Sequence, residues 1–389
     1  MNEKPKSTST AIPFGKPMLD DAEIAAVVKV LSGTTLVHGP ATHAFEQEFA
    51  RHIGAAEAIS VASCTAGLHL SLFVHEVGPG DRVAVPAMTH VATAHVIELL
   101  GATPVFVDVA PDSGNIDVAA LEAVASGLKA IEVVHYLGLP CEMDAIGAIA
   151  RKQGAVLIED CALSLGATYG GVHTGKFGAA GCFSFYPIKH MTTIEGGMVT
   201  TGDADVAARI RQAKAFGYDR TVGQRSRPGI YDVVALGFNY RMNEVEAAVG
   251  LVQIGKLDGF ADRRARNYAE LRTGLAELDE VMVFADQQGK AKSSHYCLNA
   301  VLPRDGRIDR DALVKALNAA GVGTSVHYPS AVPLFTYYRE KYGYRPGQFP
   351  VAEWLADQTI SLPVGPHLAD GDPRRMVEAF KSGLKAGRQ

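Results

Sequence analysis

Lys189 is the residue from which chemistry can be argued. It stands in Cys182-Phe-Ser-Phe-Tyr-Pro-Ile-Lys-His-Met-Thr-Thr-Ile-Glu-Gly-Gly-Met-Val-Thr200, between an aromatic, alternating run at 183–186 and a second short strand at 198–200 that Gly196-Gly197 sets off. A lysine held on such a turn in dry surroundings loses its charge more readily than one in water. Its free amine is then a nucleophile that forms a Schiff base with an aldehyde. A lone loop lysine is usually just solvated, so the neighbours decide. Upstream, Ala-Val-Leu-Ile-Glu-Asp160 reads as a buried parallel strand that delivers Asp160 to its C-terminal end, the edge where open α/β sheets bind ligands. An acid there, followed by a Schiff-base lysine, is the arrangement that pyridoxal 5'-phosphate (PLP) needs. The carboxylate keeps the pyridine nitrogen protonated, and the ring then draws electrons from the substrate carbon.

The elements that position these groups are legible as alternation. Strand-like segments at 58–62, 82–86, 103–109, 130–136, 155–160, 181–186 and 198–200 are separated mostly by helical patterns, which predicts a mainly parallel, three-layer α/β domain. The first of these runs through Ser63-Cys-Thr-Ala straight into a helix, whose free N–H groups and hydroxyls make a phosphate site. Ahead of it, 19–31 and 41–53 have helical spacing around a loop at 34–40. Asn243 is placed to cap a long helix running to about 275. Beyond 280, strands at 296–302 and 323–328 with helices at 309–320 and after 370 read as a smaller α+β unit.

Composition bounds the function class. At 389 residues the chain is long enough for two domains, and 47% hydrophobic with 20% charged residues argues for a buried sheet rather than disorder. A net charge of −5 leaves no basic footprint for nucleic acid or an anionic membrane surface. Five cysteines without a CxxC pair predict reduced thiols, with neither a disulfide framework nor a metal site. The first seventeen residues are polar and lack an apolar core, which speaks against a secretory signal, and no run reaches membrane-spanning length; a cytoplasmic protein is expected.

Five segments resemble the DegT/DnrJ/StrS family of sugar aminotransferases, in order and over nearly the whole chain. They are Ser63-Cys-Thr-Ala-Gly-Leu-His69, Ile158-Glu-Asp-Cys-Ala162, Phe183 to Lys189 with Thr192-Thr-Ile-Glu-Gly-Gly197, Leu236-Gly-Phe-Asn-Tyr-Arg-Met242, and Thr324-Ser-Val-His-Tyr328. The resemblance implies the type I aminotransferase fold: a large, mainly parallel sheet domain with helices on both faces, and a smaller C-terminal α+β domain. The expected division is a flexible tail at 1–12, a large domain at 13–250, and a small domain at 251–389 that includes the long linking helix.

By the same resemblance Lys189 holds PLP, Asp160 pairs with its ring nitrogen, and Thr65, Ala66 and Ser184 hold its phosphate. His90 takes the place of the usual stacking aromatic, and Asn239 reaches the phosphate of a partner subunit, so a homodimer shares its active sites. His38, His327 and Tyr328 fall near the sugar site, while Tyr186 beside the lysine turn and Arg220 in a basic, Gly-rich loop are candidates for substrate contact from the sequence itself. For Arg220, with Arg225 and Arg227, an ordinary solvated basic loop is an equal reading. Two departures stand out: Leu163, where relatives have Gln or His, and Ile194, where they generally have Gly. The implied activity passes an amino group from L-glutamate, through pyridoxamine 5'-phosphate (PMP), to a nucleotide-linked keto sugar, at C4 of a 4-keto-6-deoxy hexose, for polysaccharide or glycoside synthesis. C3-keto-sugar or cyclitol amination, or a PMP-dependent dehydratase of the same fold, are the alternatives; such dehydratases replace the lysine that this chain keeps.

Overall fold

The computed structural model describes residues 11–219 and 230–387. Helices α1 (Asp21–Leu31) and α2 (Pro40–Ile53) lead into an alternating run: β1 (Glu57–Val61), α3 (Cys64–Val74), β2 (Arg82–Pro86), α4 (Val91–Leu99), β3 (Thr103–Val107), α5 (Val118–Val124), β4 (Ala130–Val134), α6 (Met143–Gln153) and β5 (Val156–Asp160). Two short strands, β6 (Thr168–Tyr169) and β7 (Val172–His173), precede β8 (Ala180–Ser184), β9 (Gly197–Thr201) and α7 (Ala204–Ala213). The large sheet has the order β1-β9-β8-β5-β4-β2-β3. It is parallel from β8 to β3, while β9 runs antiparallel to both β1 and β8.

The two-residue period of the strands decides which side chains meet which helices. Val83, Val85, Ile158, Cys182 and Val199 point one way and pack with Leu68 and Leu72 of α3 and Ala94 and Ile97 of α4. Their neighbours Ala84, Ile131, Val133 and Leu157 point the other way, against α5 and α6. Phe183, Phe185 and Met198 meet Phe45 and Phe49 of α2. Phe183 is fully buried and edge-on to Phe49, with centroids 5.2 Å apart, and truncating such a ring to alanine costs about 3–5 kcal/mol. That packing fixes the strand from which the lysine loop departs.

Asn243 caps α8 (Glu244–Ile254) in a reciprocal box with Glu246, as its position predicts. The long helix expected from there is two helices: α8 ends at Gly255, and α9 (Leu257–Leu275) restarts after Lys256. The small sheet comprises β10 (Met282–Val283), β13 (Leu298–Val301) and β14 (Thr359–Leu362), packed with α9, α10 (Arg310–Ala319) and α13 (Asp372–Gly387). The strand expected at 323–328 shrinks to one bridge, Ser325 to Ser361.

Packing does not divide at residue 250. Strands β11 (Gln287–Gln288) and β12 (Ala291–Lys292) join β6 and β7 of the large domain. The segment carrying α11 (Thr336–Tyr342) and α12 (Pro350–Gln358) also returns to the large core. Val332 donates to the Ala87 carbonyl, Asp108 accepts from the Val351 and Ala352 amides, and Tyr338 and Phe349 are buried in that core. The expected loose tail at 1–12 is corrected at its end. Ile12 is 2% exposed in the small-domain core, its amide donating to Gly321 and its carbonyl accepting from Gly323, because an apolar side chain has more to gain in that core than in water.

Candidate active site

Asp160 ends β5 at the carboxyl edge of the parallel strands and is 5% exposed. Its carboxylate accepts from Thr93 Oγ1 at 2.9 Å and from the Ala162 amide at 3.0 Å, and the Cys64 thiol lies 3.9 Å away. Thr93 is in the first turn of α4, so the helix that covers the sheet also orients the acid.

Lys189 sits in the loop between β8 and β9, its amide donating to Tyr186. The amine lies 5.0 Å above the Tyr296 ring, and no carboxylate of the described residues comes within salt-bridge distance of it. Loss of water lowers its pKa, against which the Asp160 charge pulls the other way. The amine therefore gives up its proton more easily than a surface lysine does.

Helix α3 opens beside Asp160. Ser63 caps it, with Oγ accepting from the Ala66 amide at 3.1 Å, so the Ala66 N–H is held by the cap and Thr65 stands half-buried next to it. Gly197 presses on this turn: a Cβ there would lie 2.5 Å from the Ser63 carbonyl carbon, so only glycine admits the strand so close. Ser184, at the end of β8, is half-buried, with the Tyr186 amide 3.4 Å from its Oγ.

His90 is the N-cap of α4, and its Nδ1 accepts from the Ala92 amide at 3.2 Å, which leaves that nitrogen without a proton. Its pKa is lowered, first by lost solvation and, further down, by the Lys189 charge, with Asp160 opposing. The ring is edge-on to Tyr328 at 5.9 Å. His327 is buried, with Nδ1 2.9 Å from Ser361 Oγ, and burial depresses its pKa to about 3, so it is neutral at physiological pH. Burial pushes the Tyr328 hydroxyl pKa well up. Leu163 is buried in the core and its carbonyl accepts from Ser294 Oγ.

The other sequence-derived positions lie on exposed surface. Tyr186 is exposed, His38 has its ring against Arg241 Nη1 at 3.3 Å, and Asn239 is exposed beside a bridge to Ala215. Ile194 has φ +76, a conformation β-branched residues rarely adopt, and shares a cavity of about 370 Å³ with Leu31, Leu36, Val37, Asn243 and Val245. Arg220, Arg225 and Arg227 lie outside the described residues. Sequence reasoning passed over Thr93, Tyr296 and Arg241. Thr93 had a signal, since a hydroxyl three residues after His90 sits one helical turn along. Tyr296 had none, because it arrives from beyond residue 280.

A buried carboxylate at the sheet edge, an amine of depressed basicity and a helix N-terminus beside the acid are the groups that a PLP site on a type I aminotransferase fold requires. Residues 17–381 match the model of the DegT/DnrJ/EryC1/StrS aminotransferase family, and the chain belongs to that family. Spr1654 of Streptococcus pneumoniae, designated a sugar aminotransferase and solved in PLP and PMP forms, is similar at 28% identity. In the PMP form its TM-score is 0.91, with 96% of this chain and 99% of that chain covered. The aminotransferase TlmJ of Streptoalloteichus hindustanus is 32% identical, with a TM-score of 0.89 and coverage of 97% and 99%. PseC of Helicobacter pylori, an aminotransferase involved in pseudoaminic acid biosynthesis, is 25% identical, with a TM-score of 0.90 and coverage of 97% and 100%. The protein is a PLP-dependent transaminase. Its own residues fit the cofactor: the unpaired Lys189 amine, the buried Asp160 and the glycine-backed turn at Ser63 meet an aldehyde, a ring nitrogen and a phosphate in kind.

Proposed function

We propose that the protein transfers the amino group of L-glutamate to a nucleotide-linked keto sugar, at C4 of a 4-keto-6-deoxy hexose, in the cytoplasm, as a homodimer with shared active sites. When bound, PLP supplies an aldehyde for amino groups and an electron sink for the adjoining carbon. In this reading Lys189 holds the cofactor, and its amine, once free, carries the proton to and from the reacting carbon. Asp160, locked by Thr93 and the Ala162 amide, stays an acceptor facing the ring nitrogen. Thr65, Ala66 and Ser184 take the phosphate at the α3 N-terminus, and His90 lies against the ring as a neutral imidazole.

The observation that carries the reading is the pairing of a desolvated, carboxylate-free Lys189 amine with a buried, doubly hydrogen-bonded Asp160. Retention of the lysine also separates the chain from dehydratases of this fold. For the homodimer, support comes from a run of exposed apolar side chains: Ile24, Val28 and Leu31 of α1, and Tyr231, Val233, Val234 and Leu236 just before Asn239. A monomer seldom leaves so much apolar surface in water, and a partner covering it would meet Asn239. Among the described residues no helix is long and apolar enough to cross a membrane.

C4 amination rests on the Thr192 to Gly197 loop, which resembles the C4 branch of the family. The test incubates enzyme, PLP and L-glutamate with dTDP-, GDP- and UDP-linked 4-keto-6-deoxy sugars and locates the new amine by NMR. An equatorial or axial amine on C4 of one of them is expected; nitrogen on C3, or turnover only of a free cyclitol ketone, contradicts the proposal.

A further inference from the structure

Helix α2 opens on Gly39 and Pro40 without a cap of its own, since the N-cap glycine carries no side chain. The amides of Gly39, Ala41 and Thr42 are left to find acceptors, and Pro40 has no N–H to offer. All three find one carboxylate, about two hundred residues further along the chain. Glu244 Oε1 accepts from Gly39 at 3.0 Å and from Thr42 at 3.1 Å, and Oε2 accepts from Ala41 at 2.8 Å. The Thr42 hydroxyl also donates to Oε1. Glu244 is 1% exposed, and no lysine or arginine of the described residues lies within ion-pair distance of it. Four donors and the positive end of the α2 dipole are what compensate its burial. The fit is close: a Cβ on Gly39 would lie 2.5 Å from Oε2, so glycine is what lets the carboxylate reach the turn.

The same residue holds the other end of the loop. Its own amide donates to the Leu36 carbonyl at 2.9 Å, next to the bridge between Val37 and Asn243. Between these two holds stands His38, at φ +59, with Nε2 3.3 Å from Arg241 Nη1. That conformation is costly for a residue with a Cβ and persists where the surrounding structure fixes it. Leu36 and Val37 line the cavity that Ile194 of the lysine loop also lines, and Met242, two residues before Glu244, packs on Gly196. The clamped loop and the lysine loop therefore meet at the first turn of α8.

We propose that Glu244 is a positioning residue for the keto sugar: by clamping residues 36–42 it presents His38 and Arg241 to the substrate without touching the substrate itself. The inference deepens the amino-transfer reading and rests on the placement of His38 at the sugar side of the site. Glu244 shares no hydrogen bond with Lys189 or Asp160, the groups assigned to the chemistry of both half-reactions. Loss of the clamp should therefore fall on sugar binding rather than on the donor step.

The test follows the two half-reactions separately by absorbance. In one, glutamate converts the PLP form to the PMP form; in the other, the PMP form returns to PLP with a keto sugar that the wild-type enzyme turns over. Glu244→Gln keeps the size but sets an NH2 group against amide donors. The half-saturating sugar concentration is expected to rise about 10-fold or more, with the glutamate half-reaction within about 2-fold of wild type. Thr42→Val, which removes only the hydroxyl contact, should shift the sugar step in the same direction by about 2-fold to 3-fold, and it decides the matter if Glu244→Gln fails to fold. Equal losses in both half-reactions, or an unchanged sugar step in the folded variant, would overturn the proposal and leave Glu244 a helix cap. A wild-type enzyme that accepts the amino group of glutamate but passes it to no nucleotide-linked keto sugar would overturn the substrate reading, and the clamp's role with it.

Discussion

The floor around Asp160 and the rim around Ile194 are built on opposite terms. On the floor, the acid and both imidazoles have stated partners within the chain: Thr93 and the Ala162 amide for Asp160, the Ala92 amide for His90, Ser361 for His327. Around the rim, Ile194 is 53% and Leu236 70% exposed, Ile194 and His38 have positive φ, and apolar side chains face water. Under the proposed homodimer, the rim is the part that a second copy finishes. The electrostatics that set the reaction can then be fixed by folding, while specificity waits on assembly.

The strongest way to break this contrast is on the floor. Asp160→Asn keeps the size and the Thr93 contact but removes the charge, so turnover should fall by about 10²–10⁴-fold while stability changes by less than about 1 kcal/mol. Steady-state kinetics beside a denaturant melt checks both halves. Near-normal turnover would remove the role assigned to Asp160.

On the rim, Leu236→Asp places a charge on the exposed apolar run without touching the floor. If a second copy covers that run, sedimentation should show monomer at micromolar concentration, and activity should fall with the loss of dimer. Monomers that retain full turnover would show that the floor needs no partner. The smallest effect is expected at Ile194. Replacing it with glycine relieves a positive φ, for a gain of up to about 1 kcal/mol if the rim is merely strained, readable as a rise in melting temperature. An accompanying change in KM for the sugar, with KM for glutamate unaltered, would place the side chain in the sugar pocket.

What the sequence made legible follows from how local each signal is. The apolar run ending in Asp160, the Ser63 turn, the Gly196-Gly197 break and the Asn243 cap are all written within a few residues, and the fold expected from their alternation is the one found. The split of α8 from α9 at Gly255 was less readable, because both flanks keep helical spacing across the break. Residues 331–358 pack back on the large domain although their sequence follows the small one, since Tyr338 and Phe349 find their apolar partners near β3 rather than nearby in the chain. Tyr296 under the lysine and Arg264 behind it come from more than 70 residues away and carry no local pattern.

Lys189 is proposed as the residue that takes the cofactor, and reductive trapping tests that role most directly. Protein loaded with PLP, treated with borohydride and digested should carry the pyridoxyl label on the peptide containing Lys189, with Lys189→Ala unlabelled though still folded. A label on another lysine, or equal labelling of the alanine variant, would contradict it.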